Sequence, residues 1–141
     1  MKLRFATFAV WGCLAGLSCL EINSEGSGDP LNPNGDSELA LLMRAMFEDG
    51  MKIKEQIAAG KKPEVTVNFE HILSAEPTEP GMKNFPEFRA FAQHYISAMK
   101  TLKHSSPETA RPAFENMVDA CNNCHQMSCP GPLMKINKLS R

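Results

Sequence analysis

The stretch CNNCHQMSC, residues 121–129, places three cysteines and a histidine within nine positions. Three chemistries use such a set. Two thiols three residues apart, followed at once by an imidazole, can bond the two vinyl groups of a haem and present the imidazole to its iron. Cys-x-x-Cys-His is the pattern of c-type haem attachment. On a helix, Cys121, Cys124 and His125 stand at i, i+3 and i+4, so all three leave one face. Counted differently, Cys121, Cys124, His125 and Cys129 make a three-cysteine, one-histidine tetrahedral set for zinc. A structural zinc site usually draws its ligands from two separate knuckles, however, and here all four fall on one short segment. A redox Cys-Asn-Asn-Cys is the third chemistry. That motif belongs at a strand-to-helix junction of an α/β fold, and the chain has no such unit. Covalent haem is the expected cofactor, with Cys121 and Cys124 as thioether donors and His125 as proximal ligand to the iron.

The elements that must position these residues read as helices throughout. With 141 residues, 43% of them hydrophobic, the chain has room for one core and one domain. Apolar residues recur at helical spacing, and no strand alternation competes with them. Asp36 or Ser37 can cap a first helix whose stripe runs Leu39, Met43, Met46, Gly50, Ile53 and Ile57, and Gly60 is placed to end it. NFEHILSA predicts a short second helix, closed by Pro77, Pro80 and Gly81. A third begins around Pro86 and repeats Phe88, Phe91, Tyr95, Met99 or Ala98, and Leu102 on one face. SSPETARP supplies the cap and first-turn proline of a fourth, whose stripe of Phe114, Met117, Cys121 and Cys124 carries the motif into the core. The expected fold is an all-α antiparallel four-helix bundle over residues 37–141, with the haem near the C-terminal end of its last bundle helix.

Upstream lies an export signal. MKLRFATFAVWGCLAGLSC has Lys2 and Arg4, then an uncharged run, then small residues before Cys19. The apolar run is shorter than the roughly 20 residues a membrane-spanning helix needs. LAGLSC resembles the lipobox of bacterial lipoproteins, which implies cleavage after residue 18 and acylation of Cys19. Gly16 and the competing Cys13 depart from that pattern. Residues 19–36 are rich in Gly, Ser, Asn, Asp and Pro and read as a flexible tether from a lipid anchor on the periplasmic side of a membrane. The mature chain is mildly acidic, with 13 basic and 16 acidic residues, so no nucleic-acid footprint is present.

A secreted helical pattern with CNNCH near the end of the last bundle helix resembles the cytochrome c-prime family, over about residues 37–128. The resemblance implies a haem held within the bundle and a first-helix residue facing the far side of the iron. In that family a non-ligand at this place gives five-coordinate gas binders, and a methionine gives six-coordinate electron carriers. The first helix, ELALLMRAMFEDGMKIK, offers Met43, Met46 and Met51. Met43 is the first candidate for the distal ligand and Met46 the second, since both fall on the stripe one turn apart. Thioether ligation opposite histidine raises the potential. The competing role is packing, because methionines at helical spacing commonly fill cores. The family also implies a homodimer through the first two helices.

His71, His94 and His104 are expected on the surface or rim. Arg89, Arg111 and Lys135 could pair with haem propionates but read as solvated charge. Cys129 is an odd thiol, expected buried beneath the final segment or bridging two chains. SCPGPLMKINKL departs from the family's short ending and reads as a Pro-broken turn and a last short helix. No base, nucleophile or cleft pattern points to an enzyme. The expected function is transfer of single electrons between redox partner proteins. The alternatives are a gas-binding haem protein, for nitric oxide or carbon monoxide, and a zinc-stabilised structural domain.

Overall fold

The computed structural model describes residues 36–140. The export signal, Cys19 and the tether up to residue 35 lie outside the described residues. Helices α1 (Glu38–Ala58), α2 (Phe88–His104), α3 (Ala110–Ser128) and α4 (Leu133–Ser140) form the fold, with one 3₁₀ turn at Phe69–Leu73. No strand occurs among the described residues, so the chain is all-α.

Local chemistry explains the ends of α1. Ser37 accepts a hydrogen bond from the Ala40 amide, 3.1 Å, satisfying one of the donors a helix start leaves orphaned. At the other end Gly60 takes φ 67°, and the amides of Gly60 and Lys61 return to the carbonyls of Ile57 and Gln56. That double closure requires a left-handed residue just past the helix, which glycine adopts without a Cβ clash.

The expected short second helix is present only as a five-residue 3₁₀ turn, and no second long helix precedes α2. Residues 61–80 instead form a strap that runs back along α1. The Glu64 amide donates to Gln56 Oε1, Thr66 donates to Asp49, the Leu39 amide donates to the Glu76 carbonyl, and Thr78 Oγ1 donates to Ser37 Oγ. Its only helical portion is the five-residue 3₁₀ turn, which buries Phe69 and Ile72. The reason lies in the sequence: between Pro63 and Pro77 the run opens with Val65-Thr66-Val67, β-branched residues that resist the helix, and too few positions remain for a second long one.

Helices α2 and α3 make the most extensive packing pair, joined by a tight connection over residues 105–109. Their interface buries Ala92, Tyr95, Ile96, Met99 and Leu102 from α2 and Ala113, Phe114, Met117 and Val118 from α3. Small residues at 92 and 113 let the helices approach. α1 runs antiparallel to α3: Ile57 and Ala58 share a cleft with Arg111 and Phe114, Lys54 shares it with Val118, and Gly50 meets Met117. α4 turns back at Pro130-Gly131-Pro132 and lies alongside α1. Lys135 Nζ sits over the Phe47 ring at 4.7 Å, and Lys54 Nζ donates to the Lys138 carbonyl at 2.8 Å. The expected last short helix is therefore present, and the CNNCH motif sits on the helix before it.

Leu102 is fully buried, whereas Leu41 is 52% exposed on the outer face of α1. Replacing Leu102 by alanine should cost about 3 kcal/mol in urea unfolding, and Leu41→Ala no more than about 0.5 kcal/mol.

Candidate functional site

The antiparallel register fixes what the motif faces. Gly50 lies against Met117, and each further turn toward the start of α1 matches a turn toward the end of α3. Met46 and Met43 thus fall level with the segment Cys121 to His125. Both are half-buried, together with Leu42 and Phe47, and all four pack against the core from its edge. Only Leu39 of this half of α1's stripe is buried, while Ile53 in the other half is fully enclosed. The α1 surface that faces the motif is apolar and incompletely covered.

On α3 the three motif residues leave one face, as the spacing requires. Cys121, Cys124 and Cys129 are thiols and are half-buried. Burial pushes the Cys121 thiol up to about 12, with the neighbouring Cys124 adding to the effect. Its Sγ lies 3.8 Å from Met117 Sδ. Burial also raises Cys124, offset by a contact with the Ser128 hydroxyl.

His125 is oriented by the turn that ends α3. Its Nδ1 lies 2.9 Å from the Cys129 carbonyl, a distance at which the ring donates Nδ1–H. A histidine fixed in this way keeps the Nε2 lone pair for another partner, as metal-bound histidines do when the second nitrogen is tied to a backbone carbonyl. Cys129 contributes here through its backbone, a role its spacing did not reveal. Asn122, between the two motif cysteines, has a buried Oδ1 with no hydrogen-bond partner, the only such side-chain atom among the described residues. An orphaned acceptor marks a place where the chain alone is not fully packed.

One buried charged residue was not anticipated, and one residue of the expected α2 stripe brings a polar atom into the core. Asp49 is 4% exposed and accepts from the Thr66 amide and hydroxyl. Tyr95 is buried on α2, and its phenol is pushed well above its ordinary value by burial first, then by Cys121 and Asp49. A signal for Asp49 existed, since it stands three residues after Met46 and four before Ile53, on the inward stripe.

The remaining candidates are scattered. His94 and His104 are exposed, and half-buried His71 lies 3.4 Å from Glu38 on the strap side of α1. Arg89, Arg111 and Lys135 are exposed, the last over Phe47. Among the described residues no group of three or more His, Cys, Asp or Glu side chains is gathered so as to hold a metal ion. The four residues expected as a zinc set are thus not brought together as a cage. No described helix is long and apolar enough to cross a membrane.

The motif end also differs from the rest of the surface. Residues 120–134 carry no Lys, Arg, Asp or Glu. The large hydrophobics exposed among the described residues are Leu41, Leu73, Met127 and Met134, and the register of α1, strap, α3 and α4 places all four at this end. Compared with protein families, curated proteins and solved structures, the chain matches none.

Without a prosthetic group, the folded chain holds the Cys121 proton that an unfolded chain releases near 9.0. The folded state binds the extra proton, so this contribution to stability is complete below pH 9 and is lost as pH rises toward about 12. Stability of the haem-free chain should fall above pH 9 by roughly 1.4 kcal/mol per pH unit for this group. Cys121→Ala should flatten the decline between pH 9 and 10, as read from urea midpoints.

Proposed function

We propose that the protein is an exported monohaem c-type cytochrome that carries single electrons. The observation that carries this reading is the half-buried face of α3 on which Cys121, Cys124 and His125 stand together, with His125 Nδ1 tied to the Cys129 carbonyl and Nε2 left for iron. Haem, when bound, supplies a one-electron ferric–ferrous couple.

The chain's own residues have separable tasks. The Cys121 and Cys124 thiols would each add across a vinyl group, moving S–H onto the double bond with no oxidant consumed. His125 would be the proximal ligand, held in one tautomer by its backbone acceptor. Met43 and Met46 are the distal candidates, and their level on α1 supports both. The half-covered side chains of Leu42, Met43, Met46 and Phe47 fit a flat apolar group, which would complete the burial that α1 lacks. In this reading the helices act as a bundle around the ring, as in the cytochrome c-prime family that the sequence resembles. The strap in place of a second long helix is a departure from that pattern.

The same reading places the molecule on the periplasmic side of a bacterial membrane, tethered through acylated Cys19. A redox partner protein would dock at the uncharged motif end, where Met127 and Met134 are 69% and 85% exposed. Apolar, weakly charged surface around a redox centre suits brief encounters that bring the centre near a partner. A gas-binding role is the second reading, favoured by the half-covered apolar side chains of Leu42, Met43 and Met46.

Expression of the full chain in a bacterium competent for c-type maturation tests the proposal. The mature polypeptide should gain the mass of one haem, lost in Cys121→Ala/Cys124→Ala. The ferric spectrum should be low-spin with a weak long-wavelength sulfur-to-iron band, and that band should vanish in Met43→Leu or Met46→Leu, whichever supplies the ligand. A haem-bearing chain with a high-spin spectrum and rapid carbon monoxide uptake would favour the gas-binding reading instead.

A further inference from the structure

Asp49 is the one charged side chain buried among the described residues. A buried carboxylate normally has a cation beside it, because removing an ion from water costs several kcal/mol. No described ion pair includes Asp49. Its partner is Thr66, whose amide reaches both oxygens at 3.2–3.3 Å and whose hydroxyl reaches Oδ1 at 2.5 Å. The carboxylate is therefore held by hydrogen bonds from one threonine, with no described cation beside it.

That charge lies close to the motif. A Cβ on Gly50, the next residue, would be 4.0 Å from Met117 Cε, and Met117 Sδ is 3.8 Å from Cys121 Sγ. One methionine side chain separates the turn that carries Asp49 from the first thiol. The buried ring of Tyr95 is the other neighbour that senses both Asp49 and Cys121. The helix itself does not require an acid here, and anchoring the strap could be done by a neutral acceptor without the cost of desolvating a charge.

Building on the haem reading above, we infer that Asp49 sets the reduction potential of the bound haem, as a fixed interior negative charge that favours ferric iron. Adding an electron beside an uncompensated anion is opposed by a Coulomb term. Low-polarity surroundings preserve that term, and salt screens it little. Thr66 positions the carboxylate and draws off part of its charge. The strap thereby becomes part of the redox site through Thr66.

The test is redox titration of the matured full chain, read from its absorption spectrum at low and high salt. Asp49→Asn keeps an oxygen for Thr66 and removes the charge. It should shift the ferrous-to-ferric ratio at a fixed applied potential about tenfold toward ferrous, which for one electron is about 59 mV. Thr66→Val keeps the charge, removes the hydroxyl donor, and should shift the ratio toward ferric by roughly two- to threefold. Glu48→Gln, an exposed acid one residue away, should change it by less than about twofold. Shifts of the same sign in D49N and T66V would show loosened packing and overturn the inference, as would a haem-bearing D49N at the wild-type potential. If D49N does not fold, T66V, which alters an exposed residue and keeps its amide donor to Asp49, decides by its sign alone. A wild-type chain that matures without haem overturns the proposed function and this inference together.

Discussion

A side chain at Gly50 would put its Cβ 3.3 Å from Leu139 Cδ2 and against Met117 Cε. Three helices meet at this level because the position has none. Close approach at one point of two antiparallel helices sets the register for every turn beyond it, and the rest of the site follows from that register. Toward the end of α1, Ile53, Phe114, Val118 and Leu139 are buried beside the cleft that Lys54, Ile57, Ala58 and Arg111 line. Toward its start, Leu42, Met43, Met46 and Phe47 remain half-buried, with Lys135 of α4 over the Phe47 ring. α4 is only eight residues long and spends its buried residues, Ile136 and Leu139, on the Gly50 level.

The strap acts on the other side of α1. It contributes Val65, Val67, Phe69, Ile72 and Ala75 to the core or its edge, which is less apolar area than a long amphipathic helix would bury. What it adds is attachment at several polar points, from Gln56 through Asp49 to Ser37. A buried carboxylate that accepts two kinds of donor from one threonine is a specific anchor, since a slip of one residue would leave the acid unsatisfied at a cost of several kcal/mol. Asp49 thus fixes the strap's position along α1 with more precision than its apolar contacts could.

Much of this was legible from residues alone where a local rule had no competitor. α1 was, because its cap, its stripe and its terminating glycine agree. The common face of Cys121, Cys124 and His125 was, because a helix of any origin projects i, i+3 and i+4 together. The strap was not, because NFEHIL has apolar spacing that a 3₁₀ turn and a helix satisfy equally, and the β-branched residues before it decide the matter only when they meet Asp49. Phe91 illustrates a finer failure: it is the one residue of the expected α2 stripe left half-buried, while Ala92 and Ile96 are buried, because α3 packs closely enough to favour a small residue at 92. The Cys129 carbonyl acting on His125 belongs to tertiary geometry at a helix end, and no pattern of side chains announces it.

The uneven cover of α1 has an energetic consequence. Completing the burial of four half-covered side chains at about 25 cal/mol per Å² amounts to several kcal/mol, comparable with the whole stability of a domain of this size. A flat apolar group inserted between α1 and α3 would therefore stabilise the fold as strongly as it would equip it for chemistry, and the folded population would depend on its presence. Under the proposed function the uncharged run over residues 120–134 would have a double use. Charges there would have to be desolvated both when the group enters and when a partner meets it, and their absence removes both costs. Exposed Met127 and Met134 are the visible remainder of that economy: apolar side chains at the one end of the molecule where a charge would be paid for twice.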